Sequence, residues 1–264
     1  MKVHEATFGL SDWQFAPEIA IPALAILLWY LLTLRTLRTL RTLQIDRRTP
    51  LSNEKYFYFG IASIFAVVLS PIGTHATDLF WCHMLQHMVL MMITGPLLVL
   101  GLQGVVTPNN LIFQKLTTPV FIWIAFAATM VGVHFTGLHN LLMSGIWVHR
   151  LVEVPLYIFV AYFFYFNLLD KKDENRRISY ALSVIALFLM MIPETLTGFF
   201  IYVAPTSLYN EMFTLSDQRV GGSLMWAGSM VIDAIWISIA VSAWLKSEER
   251  EGVRINAEIA GQKS

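Results

Sequence analysis

The sequence predicts an all-α polytopic membrane protein with seven transmembrane helices, its amino terminus outside and its carboxyl terminus cytoplasmic. Three observations carry this prediction. Of 264 residues, 56% are hydrophobic and only 14% charged, whereas soluble domains run at roughly 45–50% apolar and 25% charged. Seven apolar stretches recur, each near the ~20 residues that cross a bilayer as a helix. The basic residues gather in alternate connections, the pattern that sets orientation in a membrane.

In chain order the expected spans lie at about 16–34, 56–72, 80–100, 119–138, 149–169, 179–203 and 221–245, forming one membrane domain over 1–246 with a polar cytoplasmic tail over 247–264. Residues 1–15 carry Lys2, His4, Glu5 and Asp12 without a short apolar core and cleavage site, so the first stretch is expected to remain as a span. The cytoplasmic side collects Arg35, Arg38, Arg41, Arg47, Arg48, Lys55, Lys115, Lys171, Lys172, Arg176 and Arg177, and then Lys246, Arg250, Arg254 and Lys263 in the tail. Only Lys2, Arg150 and Arg219 fall opposite. The Thr-Leu-Arg repeat from Thr33 to Leu43 reads as a helix leaving the membrane, its arginines anchoring on anionic lipid head groups. Asp170 to Arg177 reads as a solvated loop, and the tail as a frayed end.

Composition also excludes. A formal net charge of zero gives no nucleic-acid footprint. The single cysteine, Cys82, allows no intramolecular disulfide and reads first as a small buried residue, with a thiolate ligand as the open alternative. No H-E-x-x-H motif marks a zincin, and residues 221–245 hold no lysine for a retinal Schiff base.

The third stretch carries the chemistry: Trp81-Cys82-His83-Met84-Leu85-Gln86-His87-Met88, continuing through Met91, Met92, Gly95 and Pro96 to Gly101. At 100° per residue His83, His87 and Met91 share a narrow helical sector, with Met84 beside it. In the expected topology all seven histidines fall on the outer side, and three spans bring imidazole to one depth through His83 and His87, His134 and His139, and His149. Imidazoles near hydrocarbon need partners, which a metal supplies. Carboxylates at that level are Asp78, Glu153 and Asp217; thioethers are Met84, Met88, Met91, Met130 and Met225. Mixed imidazole and soft sulfur suit copper, Cu(I) above all. Glu153, four residues after His149, is either a ligand or the group that orients His149. The methionines read first as packing, with one ligand expected among them. His4 and His75 read as solvated.

Three acids lie deeper: Glu153, Glu194 and Asp233. Glu194 follows Pro193, which removes a backbone hydrogen bond and is expected to open the sixth span locally; Asp233 falls halfway along the seventh. Ion or proton relays and simple hydrogen-bond acceptors are equally open readings for them.

Ser70-Pro71, the run from His83 to Met88 with Leu90-Met91-Met92, and Pro96 to Gly101 resemble the signature of the CtaG family of cytochrome c oxidase assembly factors. Ser216-Asp217-Gln218-Arg219-Val220-Gly221-Gly222, followed by Met225-Trp226, is similar to that family's entry into its last helix. Two places depart from the pattern. Thr136 stands where the family has proline, two residues after His134, and His149-Arg150-Leu151-Val152-Glu153 replaces its H-x-x-E-H. The resemblance implies a seven-span protein of a bacterial cytoplasmic membrane, not an enzyme, that handles copper during assembly of a haem-copper oxidase. Its expected partners are an oxidase subunit, a soluble copper chaperone and membrane lipid. Ligands are then expected from His83, His87, His134 and His149, then Glu153, His139, Met84 and Met91, at a rim open to outer water. Two other classes stay open: a copper transporter using Met190, Met191, Glu194 and Asp233 as its path, and a haem-binding electron carrier with axial ligands such as His83 and His149.

Overall fold

The computed structural model describes residues 7–43, 53–103, 105–106, 118–169, 178–209 and 212–261. Lys2, His4, Arg47, Arg48, Lys115, Lys263 and the loop 170–177 lie outside them. Among the described residues every regular element is helical: α1 (Pro17–Thr42), α2 (Glu54–Val68), α3 (Pro71–Thr74), α4 (Phe80–Val89), α5 (Gly95–Leu102), α6 (Pro119–Phe135), α7 (Leu138–Leu142), α8 (Ile146–Val148), α9 (Val154–Leu169), α10 (Tyr180–Val203), α11 (Leu215–Ser223) and α12 (Ser229–Gly261). Three π-helical turns, Leu90–Thr94, His149–Glu153 and Leu224–Gly228, join α4 to α5, α8 to α9 and α11 to α12. Each π turn inserts a residue into a helix and re-aims the side chains after it, a device frequent at functional sites.

Among the described residues, five helical runs are long and apolar enough to span a membrane: Pro17–Leu40, Phe80–Leu102, Ile146–Phe166, Tyr180–Val203 and Leu215–Ala260. Two of the seven expected stretches are shorter. α2 has 15 residues, because Ser70 and Pro71 start a new turn: the Ser70 hydroxyl accepts from the Ile72 N–H at 3.3 Å. α6 has 17 residues and stops where Thr136 turns extended.

The Thr-Leu-Arg repeat is helical, and its threonines explain themselves. The hydroxyls of Thr33, Thr36, Thr39 and Thr42 each donate to the carbonyl four residues back, at 2.9–3.1 Å. Arg38 pairs with Glu54 at 2.5 Å, tying α1 to α2. α10 runs unbroken through Pro193, so the expected local opening is absent: neighbouring helices hold it. The tail is a continuation of α12 to Gly261, not a frayed end; Arg254 pairs with Glu251 at 2.6 Å along it.

α2 packs on α5, α5 on α9, α4 on α11, and α10 on both α6 and α12, while α1 sits at the edge. Apolar side chains such as Ile21, Leu28, Val120, Phe188 and Val231 point outward, whereas the polar residues of the helix interiors are buried. That inside-out distribution is what hydrocarbon around the bundle selects.

Candidate metal centre

Glu153 is the hub. It closes the π turn His149–Glu153 and is fully buried. Its Oε2 lies 2.6 Å from His149 Nδ1; its Oε1 lies 3.5 Å from His83 Nε2, 3.4 Å from His87 Nε2 and 3.3 Å from the Tyr157 hydroxyl. His83 and His87 stand one turn apart on α4, ring centroids 3.9 Å apart. His139, from α7, sits 5.4 Å from the His83 ring, and His134, from the end of α6, 6.0 Å from that of His87. Three imidazoles, from α4 and the π turn, thus reach one carboxylate, and two more, from α6 and α7, stand beside them. His83, His149 and Glu153 bring ligand atoms within 4.8 Å of one another, close enough to share an ion.

The hydrogen bonds divide these imidazoles into two groups. Gln86 donates from Nε2 to the Val67 carbonyl at 2.9 Å, and a carbonyl can only accept. Gln86 Oε1 therefore faces His149 Nε2, at 2.7 Å, and His149 Nε2 must carry a hydrogen. The remaining proton lies between His149 Nδ1 and Glu153, so the pair is either imidazolium with carboxylate or imidazole with carboxylic acid. Both nitrogens of His149 are committed. Neither nitrogen of His83, His87, His134 or His139 has a hydrogen-bond partner. Buried polar atoms are nearly always satisfied, so these eight nitrogens stand open to a partner such as water or an ion.

Glu153 stands against His149 through Oε2 and presents Oε1 to His83 and His87. The structure corrects the expected open rim. His83, His87, His134, His139 and His149 are all 5% exposed or less. Phe80 and Tyr209 lie tilted against His139, with ring centroids 6.2 and 4.3 Å from it, and Tyr209 donates to the His134 carbonyl at 3.1 Å. Burial pushes the His139 imidazole down to about 4, against a smaller opposing pull from Glu153, and pushes the Tyr209 phenol up.

Met84 and Met91 touch this centre from below, lining a small cavity with His87, His134 and Glu194. Glu194 and Asp233 are buried, and neither Glu194 Oε2 nor either Asp233 oxygen has a hydrogen-bond partner. Asp217 is no part of the centre: it caps α4, accepting from the Phe80 and Trp81 N–H groups at 2.7 and 3.1 Å. Asp78 is exposed. His75 is not simply solvated but bonded to Asp12 at 2.8 Å. Cys82 is buried, as expected. Gln86, Tyr157 and Tyr209 belong to the centre and were missed. Tyr157 continues the four-residue spacing of His149 and Glu153, and Gln86 lies three residues after His83, so helical spacing could have found both; nothing local marks Tyr209.

The profile of the family described as cytochrome c oxidase caa3 assembly factor (Caa3_CtaG) matches residues 28–247. An uncharacterized protein of Mycobacterium leprae is 24% identical over 70% of this chain and 33% of its own length. Uncharacterized proteins of Mycobacterium bovis and Mycobacterium tuberculosis are each 23% identical over 74% of this chain and 34% of their own. The chain thus spans about a third of the length of these curated relatives. No solved structure matches.

Proposed function

The chain belongs to the cytochrome c oxidase caa3 assembly factor family, and from that premise we propose that it holds copper at the Glu153 cluster for insertion into a haem-copper oxidase. The observation that supports this most is the buried Glu153 carboxylate with the unpartnered Nε2 atoms of His83 and His87 3.5 and 3.4 Å from one of its oxygens, and the unpartnered imidazoles of His139 and His134 beside those two rings. Copper is cargo here, and the protein is a metallochaperone rather than an enzyme. His83 and His87 offer neutral nitrogen at the distance of Glu153 Oε1, while Gln86 and His149 hold the carboxylate in register. Binding at His149 as well would displace the proton it shares with Glu153, so loading is coupled to proton release.

In this reading the short α2 and α6 complete seven spans, residues 1–246 form one unit of the bacterial cytoplasmic membrane, and the amino terminus faces outward. An oxidase subunit receives the metal, and a soluble chaperone delivers it. Copper content by mass spectrometry tests this on detergent-purified protein, comparing the natural chain with His83→Ala, His87→Ala after identical loading. Near-stoichiometric copper, lost in a folded variant, supports the site. Equal, copper-free proteins refute it.

One observation favours a second reading, transport across the membrane: the unpartnered oxygens of Glu194 and Asp233 lie deeper in the same bundle. Loss of copper uptake on Asp233→Ala would support it. No observation favours haem: the His83 and His149 rings stand 5.3 Å apart beside the Glu153 carboxylate, with no slot for a porphyrin between them.

A further inference from the structure

Beneath the Glu153 cluster, Met84, Met88, Met91, Met92, Met130 and Met225 line a cavity of about 20 Å³, with His87, His134, Glu194 and Ser229 completing its wall. Half of the chain's 12 methionines meet here, from α4, from α6 and from the π turns Leu90–Thr94 and Leu224–Gly228. Methionine used as packing fills irregular gaps with its flexible thioether. This cavity stays open to the size of about one water or one ion, and its wall carries polar atoms that nothing satisfies. The nitrogens of His87 and His134 and one oxygen of Glu194 are without hydrogen-bond partners, on residues 5% exposed or less.

We propose that this cavity is a second metal site, which takes a soft monovalent cation, Cu(I), on methionine sulfur with Glu194 as its counter-charge. The inference rests on the copper reading of the Glu153 cluster and extends it inward. Thioether donors are neutral and soft, and they select Cu(I) over zinc or magnesium, which seek nitrogen or oxygen. A carboxylate beside the sulfur donors balances the cation where the surrounding hydrocarbon would otherwise make it costly. His87 belongs to both places, 3.4 Å from Glu153 on one side and lining the cavity on the other. Cu(I) therefore passes between cluster and cavity by exchange of one ligand for the next, with no change of oxidation state.

The test is X-ray absorption at the copper edge on the full chain in detergent, loaded with Cu(I) anaerobically under a competing chelator. The natural protein is expected to show both sulfur and nitrogen scattering. Met91→Leu, Met130→Leu, Met225→Leu, which nearly keeps side-chain volume and removes three of the six thioethers, is expected to lose much of the sulfur signal and roughly half of the retained copper. His83→Ala, Glu153→Gln is expected to keep the sulfur signal. Absence of sulfur scattering in the natural protein overturns the proposal without recourse to any variant. So does a leucine variant whose copper content and spectrum are unchanged. Failure of the Glu153 reading looks different: the His83→Ala, Glu153→Gln variant would then keep both its copper and its nitrogen scattering.

Discussion

Two stretches carry the family signature, and they treat their polar groups in opposite ways. In 216–226 every polar side chain that points inward is used. Asp217 caps α4, and Gln218 donates to the Ile201 carbonyl at 2.9 Å while accepting from the Leu208 N–H at 2.7 Å. Its glycines let backbones meet: a β-carbon on Gly222 would stand 3.0 Å from the Gly198 carbonyl oxygen, and one on Gly221 2.3 Å from the Phe80 ring. In 83–92, His83 and His87 are buried with all four nitrogens idle. A satisfied polar group contributes to the fold, whereas an unsatisfied buried one costs about 1–3 kcal/mol and is retained for a ligand. The first stretch thus holds the scaffold and the second is the site that the scaffold supports.

Substitutions can break that division or sharpen it. Gly221→Val should have the largest effect, because Phe80 is held between Tyr209 and Phe213 and cannot retreat. The clash is worth about 3 kcal/mol or more, and the expected outcome is aggregation on size-exclusion chromatography in detergent. Gln86→Leu releases His149 and Glu153 from register, and copper affinity by chelator competition should fall about 10–100-fold with the fold intact. Asp217→Ala strips the cap from α4 and should lower stability by about 1–2 kcal/mol, read as a lower thermal midpoint at unchanged copper affinity. If copper binding falls instead of stability, the scaffold role of that stretch is wrong.

His83→Leu should move the other way. It removes two unpartnered nitrogens, so the metal-free protein should be no less stable than the natural one, or gain up to about 1 kcal/mol, while copper is lost. A lower midpoint would mean that His83 has a satisfied structural role. The smallest effect is that of mild acid. The folded His139 titrates at about 4, and an exposed histidine at about 6.5. Between these values the unfolded chain binds the proton and the folded one does not, so the metal-free protein loses stability as pH falls through that window and is unaffected above it. At pH 6 the loss from this one group is under about 1 kcal/mol, and His139→Phe should make the slope of thermal midpoint against pH shallower, the other buried imidazoles supplying the remainder.

Much of the site was legible because its residues follow helical spacing. His83 with His87, and His149 with Glu153, are each four apart and must share a face. Asp217 misled for the same reason that it mattered: an acid near the outer histidines reads as a ligand, and only the approach of α11 to α4 turns it into a cap. Gln86 escaped notice because amides are common in helices, and its role depends on the Val67 carbonyl of another one.

By itself the sequence determined the helical class, the apolar runs, the family resemblance and which residues could share a helix face, because backbone satisfaction in hydrocarbon and the 3.6-residue turn act locally. Tertiary structure alone decided the rest. It decided that three imidazoles meet one carboxylate with two more beside them, that His149 spends both nitrogens while four others spend none, and that six methionines line one void. Those facts depend on how distant helices cross and where π turns shift their register, and no local pattern of residues encodes that.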